Sequence, residues 1–255
     1  MVSRQMAHSE MISTAQIELN AQLLLRAENV SYRVSEKNLI DQVTLSLSAG
    51  SRYLILGPNG AGKSLLLRLM HGLLVPSSGQ ITRLESTGGI EQAMVFQRPV
   101  MLRRSARDNI IFALQVARIE GDHRRLANDA LDKVGLGELA DRPARLCSIG
   151  EQQRIALARA WAVQPRILFL DEPSASLDPS ATRHVEVIID AMHAKGTTIV
   201  MASHDLGQAR RLADHVLFMH QGRLIDDLPA PLFFNQARSP MIRAFLDGDL
   251  LWETS

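Results

Sequence analysis

Short apolar runs alternate with longer amphipathic stretches along most of the chain, and they outline its strands and helices. The run Leu23–Val34 and the alternating segment Val43–Leu47 predict β-strands, the second half-buried and antiparallel. Further predicted strands are Tyr53–Leu56, Ile167–Leu170, Thr198–Ala202 and Val216–Met219, and predicted helices among them are Ser180–His193 and Leu206–Ala213. This order indicates an α/β fold, with a mostly parallel sheet covered by helices on both faces and an antiparallel β-subdomain.

The middle of the chain, from about residue 98 to 163, has a helical pattern with little β-character. The predicted helices are Ala106–Val116, Arg124–Val134 and Gly150–Val163. We therefore predict one domain over residues 23–255 with a helical insertion at about 98–163. Residues 1–22 show no sustained period and are predicted to form a poorly ordered extension, with a marginal helix around Ala15–Leu25 as the alternative.

Composition excludes several classes of protein. The net charge of +1 gives no overall attraction to nucleic acid or to an anionic membrane. The single cysteine, Cys147, excludes an intramolecular disulfide framework and is typical of a reducing, cytoplasmic setting. No apolar run approaches the roughly 18 residues of a membrane span, and the amino terminus lacks the pattern of a signal peptide. We expect a chain that neither crosses a membrane nor is exported.

Residues 57–64, GPNGAGKS, match the phosphate-loop pattern between a predicted strand and a predicted helix. The glycines allow several backbone N–H groups to turn toward one anion, and the helix that follows adds its positive amino-terminal dipole. Lys63 would reach the β- and γ-phosphates of a nucleotide, and the Ser64 hydroxyl would bind Mg²⁺. The predicted loop residues are Gly57, Pro58, Asn59, Gly60, Ala61, Gly62, Lys63 and Ser64.

A second acidic element, ILFLDEP at residues 167–173, is a buried strand that ends in two carboxylates. Because the chain turns at the end of a strand, both carboxylates can face one site. Asp171 is the expected Mg²⁺ partner, and Glu172 is placed to polarise an attacking water as a general base. Alone, such a segment is more often a simple polar strand end, but together with the phosphate loop it indicates catalysis.

Between these elements, residues 147–154, CSIGEQQR, resemble the LSGGEQQR signature of ATP-binding cassette (ABC) ATPases. Gln97 in MVFQRP, residues 176–178 (SLD), His204 in MASHD and Tyr32 in VSYRV match further motifs of that family in the expected order. The resemblance covers about residues 23–225. It implies a phosphate-loop NTPase core with an inserted α-helical signature subdomain, and an ATPase that uses ATP and Mg²⁺.

The resemblance also implies that two copies of the chain bury two ATP molecules between them. Ser148 and the backbone at Gly150 would bind the γ-phosphate held by the other copy. His204 would hold the water and Glu172 in line, and Gln97 would contact Mg²⁺ and the water. Outside the phosphate loop, the implied nucleotide-binding residues are Tyr32, which stacks on adenine, Ser148, Gly150, Gln152 and Asp178.

Two signature positions depart from the family pattern. Cys147 replaces leucine, which a small packed thiol can do without loss. Ile149 replaces the first glycine, and a β-branched side chain disfavours a positive φ and adds bulk near the partner's nucleotide. We expect the site to survive with weaker closure; a slowed or inactive subunit is the alternative. A basic cluster of Arg98, Arg103, Arg104 and Arg107 is either a solvated surface or part of the groove that receives a helix of a membrane subunit.

The transported molecule is inferred from resemblance alone. The segments FQRPVMLRRSARDNI and PLFFNQARSPMIRAFLDGDLLW resemble the ATPase subunits of tungstate importers. We therefore expect import of an oxyanion, with tungstate favoured; phosphate, molybdate or an amino acid, and a soluble non-transport ABC ATPase, are the alternatives. The implied partners are a second copy, an integral-membrane permease and, indirectly, a periplasmic substrate-binding protein, with no nucleic acid. The expected location is the cytoplasmic face of the inner membrane, as a peripheral subunit.

Overall fold

The computed structural model describes residues 23–83, 92–236 and 239–248. The predicted extension, residues 1–22, lies outside these ranges. The end of the alternative helix Ala15–Leu25 does fall within them, and there the helix is wrong, because residues from Leu23 onward form a strand.

An antiparallel sheet contains the strands β1 (Leu23–Val34), β2 (Lys37–Ser48) and β4 (Ser78–Arg83), in the order β2-β1-β4. The antiparallel subdomain is therefore confirmed, but β2 begins at Lys37 and not at Val43. Gln42, with a φ of 51°, lies in a β-bulge where the pairing with β1 shifts register. Because the bulge interrupts the alternation of apolar and polar residues, the sequence pattern predicted only the second half of the strand.

The second sheet has the strand order β5-β6-β7-β3-β8-β9. Its strands are β3 (Arg52–Leu56), β5 (Gln92–Val95), β6 (Ile167–Asp171), β7 (Thr198–Ala202), β8 (His215–His220) and β9 (Arg223–Pro229). Every pairing is parallel except that of β8 with β9. The mostly parallel sheet is thus confirmed. The carboxyl ends of β3, β6 and β7 meet at one edge, which is where ligands bind in such sheets.

The helices outside the insertion are α1 (Lys63–His71), α5 (Pro179–His193), α6 (Leu206–Leu212), α7 (Ala230–Asn235) and α8 (Pro240–Asp247). Between β5 and β6 lie α2 (Ala106–Val116), α3 (His123–Lys133), two short 3₁₀ turns and α4 (Ile149–Ala162). These three helices pack on one another, and α4 also packs on β5 and α5. Within the described residues, no helix is both long enough and apolar enough to cross a membrane.

Two apolar clusters lie on opposite faces of the parallel sheet. Strand β6 contributes to both in alternation: Phe169 belongs to the cluster with α1 and the antiparallel sheet, and Leu168 and Leu170 to the cluster with α5 and the helical insertion. A strand buried on both faces reads as a continuous apolar run, as the sequence does here. Helices on both faces are confirmed, and the packing holds the end of β6 firmly.

Candidate active site

The phosphate loop joins the end of β3 at Leu56 to the start of α1 at Lys63. Gly57, Gly60 and Gly62 have φ values of 145°, 79° and 98°, conformations that L-residues rarely adopt. A Cβ on Gly57 would also lie 2.1 Å from the carbonyl oxygen of Met219. Around Gly60 such an atom would meet nothing within 4 Å, so the loop is open at its tip. Pro58, Asn59 and Ala61 complete the loop between these glycines.

Lys63 is buried at the start of α1, and its ammonium group lies inside the loop. Its Nζ donates hydrogen bonds to the carbonyl oxygens of Gly57 at 2.9 Å and Pro58 at 3.1 Å. Burial lowers the pKa of Lys63, while the nearby Glu172 and Asp171 carboxylates oppose that shift. A cation held this way can stabilise the charge of bound phosphates.

Ser64, the next residue of α1, contacts the first of the two predicted acids. Its hydroxyl donates to Oδ1 of Asp171 at 2.6 Å, while Arg68 lies 3.8 Å from Oδ2. A hydroxyl and a carboxylate suit Mg²⁺, which takes oxygen ligands and commonly completes its shell with water and substrate phosphates. Among the described residues, no group of three or more His, Cys, Asp or Glu side chains could hold a metal ion by itself. A Mg²⁺ here would need those additional ligands.

Glu172 has an unusual backbone conformation that turns its carboxylate toward the same edge of the sheet. Its φ is 46°, in the left-handed region, and its N–H donates to the carbonyl oxygen of Ala202 in β7 at 3.1 Å. The carboxylate lies 3.2 Å from Nδ1 of His204 and 3.5 Å from Nε2 of Gln97. These contacts bring together three residues predicted from separate motifs. A non-glycine residue held in this region is frequent at functional sites.

The signature residues begin helix α4. Ser148 is the N-cap, and it forms a capping box in which its Oγ accepts from the N–H of Glu151 at 3.3 Å. The Glu151 carboxylate accepts in return from the N–H of Ser148 at 2.7 Å, and this bond lowers the pKa of Glu151. Gly150 is the second residue of the helix, and a Cβ there would lie 3.4 Å from that of Ala181. The hydroxyl proton of Ser148 stays available to an acceptor outside the chain.

The remaining predicted nucleotide-binding residues make contacts within the chain. Gln152 donates from Nε2 to the carbonyl oxygen of Cys147 at 2.8 Å. Asp178 is the N-cap of α5 and accepts from the N–H of Ala181 at 2.9 Å. Tyr32 is partly buried on β1, across from Ile40, whose side chain lies beside Gly62. Tyr32 is thus near the phosphate loop, while Gln152 and Asp178 order the ends of two helices.

Two expectations about individual residues are wrong. Ile149 was expected to be disfavoured by a positive φ, but it is the first residue of α4 and has no such φ. Its side chain is 63% exposed, so only its bulk can affect a partner molecule. Arg107 does not belong to an exposed basic cluster, because it is buried, pairs with Asp141 and donates to Asn128 at 2.7 Å. Cys147 is buried, as expected for a packed thiol, and burial raises its pKa.

A groove between the parallel sheet and the helical insertion exposes several apolar side chains. We call it the apolar groove; it has a volume of about 620 Å³, and its exposed apolar residues are Phe96, Val100, Phe112 and Val116. Arg159 crosses it and donates to the carbonyl oxygen of Val100 at 3.0 Å. The guanidinium of Arg104 stacks on the ring of Phe112, 5.2 Å from its centroid. A groove beside the basic cluster is one of the expectations from the sequence, but its apolar lining was not predicted, because these residues come from three separate segments.

A second set of residues escaped sequence analysis. Gln208 and Glu186 are buried polar side chains that link the loop after Glu172 to the loop around His204. A buried polar residue on a short amphipathic helix looks like a solvated one in sequence. The available signal was the position of Gln208, four residues after His204 and in the first turn of the predicted helix Leu206–Ala213.

Comparison with known proteins shows which family the chain resembles. A family model described as ABC transporter matches residues 40–175. The chain is 33% identical over 250 residues to the phosphate import ATP-binding protein PstB 2 of Natronomonas pharaonis, covering 89% of this chain and 88% of the relative. It is 33% identical over 208 residues to the tungstate uptake system ATP-binding protein TupC of Peptoclostridium acidaminophilum, covering 78% and 96%.

Other relatives, between 31% and 35% identical, are import or transport ATP-binding proteins for aliphatic sulfonates, arginine, glutamate and methionine. Among solved structures, the chain is similar to cbiO1 of Clostridium perfringens, part of the ABC transporter complex cbiONQ, with a TM-score of 0.74 and 27% identity. That match covers 84% of this chain and 92% of the other. The expected phosphate-loop NTPase fold with an inserted helical subdomain is confirmed.

Proposed function

The chain belongs to the ABC transporter family and is one of its ATP-hydrolysing subunits, and we propose that it energises the import of an oxyanion through a separate membrane permease. The observation that carries this proposal is the convergence of Lys63, Asp171, Glu172 and His204 at one edge of the parallel sheet. Lys63 begins α1, Asp171 and Glu172 lie at the end of β6, and His204 follows β7. Together they supply phosphate binding, a metal partner and a base.

Binding of ATP would begin with the phosphate loop. Its N–H groups and the amino terminus of α1 would face the phosphates, and Lys63 would exchange its carbonyl contacts for phosphate oxygens. Ser64 and Asp171 would hold Mg²⁺, which would neutralise phosphate charge when bound. Tyr32, on the neighbouring antiparallel sheet, would stack on the adenine.

Hydrolysis would depend on Glu172 as the general base for an attacking water. His204, 3.2 Å from the Glu172 carboxylate, would hold the carboxylate and the γ-phosphate in line, and Gln97 would contact the same water. A positioned base typically contributes a factor of about 10²–10⁴ in rate. The left-handed backbone of Glu172 supports this assignment, because in this conformation the carboxylate lies 3.2 Å from His204.

A second copy of the chain would complete each site. Ser148 and Gly150 begin α4, and their side chain and backbone N–H groups would bind the γ-phosphate held by the other copy. Gln152 would orient the loop that carries Ser148, and Asp178 would order the segment after Glu172 at the same interface. Hydrolysis by a homodimer is therefore the proposed mode of action.

The permease would dock in the apolar groove. A short amphipathic helix fits a groove of this kind, with apolar residues facing Phe112 and Val100. Arg103 and Arg104 are exposed beside it, which favours a docking helix with an acidic residue or its carboxyl end at that rim. Docking would place the chain at the cytoplasmic face of the inner membrane, as a peripheral subunit, with a periplasmic binding protein delivering the substrate.

For the substrate we propose an oxyanion, with tungstate favoured. The similarity to the phosphate protein of Natronomonas pharaonis and the tungstate protein of Peptoclostridium acidaminophilum supports this class. An amino acid is the second candidate substrate, because two relatives are named as arginine and glutamate transport proteins. Uptake of tungstate, molybdate and phosphate by cells with the parent chain and with Glu172→Gln, measured by elemental analysis, would separate these candidates. Uptake that is equal in both strains for every oxyanion would refute oxyanion import.

The mechanism is tested by Mg-dependent ATP hydrolysis of the purified chain and of Glu172→Gln, with size-exclusion chromatography in ATP. We expect the variant to hydrolyse ATP at least about 100-fold more slowly and to elute as a nucleotide-bound dimer. Glu138→Gln, which changes an exposed carboxylate in the helical insertion, is the matched control and should keep the parent rate. Equal rates for the parent and Glu172→Gln would refute the assignment of Glu172 as the base.

A further inference from the structure

A buried amide connects the two loops that carry the proposed catalytic pair. Gln208, on α6, is 1% exposed. Its Oε1 accepts from the hydroxyl of Ser203 at 3.0 Å, and its Nε2 donates to the hydroxyl oxygen of Ser174 at 3.0 Å. Ser203 directly precedes His204, and Ser174 follows Glu172 by two residues. One side chain thus spans the distance between both loops.

The same contacts fix the residues on either side of His204. The Oγ of Ser203 accepts from the N–H of Asp205 at 3.1 Å, and the Asp205 carboxylate accepts from the N–H of Gln208 at 2.9 Å. His204 itself is exposed and directs its ring to Glu172. Because Ser203 and Asp205 are both held by these bonds, the loop sets the position from which the His204 ring reaches the Glu172 carboxylate.

The buried carboxylate of Glu186 contacts the Gln208 amide. Glu186, on α5, has a side chain only 1% exposed, and its Oε1 lies 3.4 Å from Nε2 of Gln208. Arg211, also on α6, donates to both carboxylate oxygens at 2.6 Å and 3.2 Å, and Arg183 donates at 3.1 Å. A buried charge is tolerated when it is paired and hydrogen-bonded in this manner. The ion pair therefore ties the last turn of α6 to the middle of α5.

We propose that Gln208 and Glu186 are positioning residues, which hold the His204 loop and the Glu172 turn at the separation that hydrolysis requires. This inference rests on the proposed roles of Glu172 and His204 as base and γ-phosphate contact. Neither Gln208 nor Glu186 touches the nucleotide in this scheme. Their effect is on the geometry of the pair, where misplacement by about 1 Å can cost a factor of about 100 in rate.

The competing explanation is that the network only stabilises the fold. The chain offers a matched control at the opposite end of the sheet, where an ion pair contacts α5 and the segment that follows α6. Arg52 donates to Asp190 on α5 at 2.9 Å and to Asp214, just after α6, at 2.9 Å. Arg52→Gln would loosen α5 and α6 against the sheet without touching either catalytic loop.

The test compares Gln208→Leu, which keeps the volume and removes both bridges, with Arg52→Gln in the full chain. The measurements are kcat and KM for Mg-ATP, the affinity for a fluorescent ATP analogue, and the thermal midpoint. We expect Gln208→Leu to lower kcat by about 10- to 100-fold with a nucleotide affinity within about twofold of the parent. Arg52→Gln should lower the thermal midpoint but keep kcat within about twofold.

Two milder substitutions at Ser174 test the same inference if Gln208→Leu does not fold. Ser174→Ala removes one hydroxyl and should lower kcat by about threefold or more, while Ser174→Thr, which keeps the hydroxyl, should restore it. The inference would be overturned if kcat were unchanged in Gln208→Leu. It would also be overturned if Gln208→Leu and Arg52→Gln lowered both kcat and nucleotide affinity to the same extent. No turnover by the parent chain would instead refute the proposed function on which the inference rests.

Discussion

The left-handed backbone of Glu172 predicts that this position is strained and that glycine relieves the strain. An L-residue in this region is less stable than in a right-handed one by about 1–2 kcal/mol, and Glu172 has a φ of 46°. Glycine has no such penalty but loses about 0.4–1 kcal/mol through the greater freedom of the unfolded chain. With the middle of each range, Glu172→Gly should therefore be more stable than Glu172→Ala by about 0.8 kcal/mol. Both variants lack the carboxylate, so its contacts cancel in the comparison.

The assay is equilibrium unfolding in urea without nucleotide, followed by circular dichroism. Ala191→Gly, in the last turn of helix α5, is the control, because glycine there should lower stability, by up to about 1 kcal/mol. The diagnostic result is that replacing alanine by glycine raises the free energy of unfolding at position 172 and lowers it at position 191. If Glu172→Gly were no more stable than Glu172→Ala, the turn would be unstrained, and its backbone conformation would no longer support a catalytic role for Glu172.

Three further changes probe the partner surfaces and the buried charges. Ile149→Gly should raise steady-state ATP hydrolysis, because it removes an exposed side chain at the start of α4; an unchanged or lower rate would oppose this reasoning. Charge reversal at both Arg103 and Arg104 should weaken co-purification with the permease, whereas reversal at exposed Arg125 on α3 should not; intact assembly of the double variant would exclude a role for that rim. Burial raises the pKa of Glu186, but hydrogen bonds from arginines outweigh it and hold the pKa below its usual range. The ionised Glu186 therefore contributes fully to folding stability above the unfolded-state pKa of about 4.3, and this contribution is lost as pH falls through the lower folded-state pKa. The urea midpoint of Glu186→Gln should then change less between about pH 5 and pH 3 than that of the parent.

The sequence predicted the elements well where one physical rule decides the structure. Helix α2 has the predicted bounds Ala106–Val116, because its capping serine, Ser105, and its periodic apolar face agree. The phosphate loop was predictable because only glycine tolerates the backbone it needs. In β2, by contrast, the bulge at Gln42 hid half of the strand.

Side-chain burial was less predictable where a polar residue finds a distant partner. Arg107 stands among exposed arginines in the sequence, yet Asp141, far along the chain, makes its burial favourable. Gln208 and Glu186 have the same character, since their partners lie on other elements. A single sequence shows the polarity of a residue but not the hydrogen-bonding or ionic partner that makes its burial favourable.

Strand register explains why the base and the histidine can meet at all. In the parallel pairing of β6 with β7, Asp171 lies opposite Ala202, so the residues that follow each strand emerge at the same edge. The N–H of Glu172 then bonds back to the carbonyl oxygen of Ala202, which links its left-handed turn to the strand that leads into His204. A shift of one residue would move Asp171 and its alternating neighbours to the opposite face. The buried alternation of Leu168 and Phe169 between two cores opposes such a shift, and the core thereby sets the geometry of the catalytic pair.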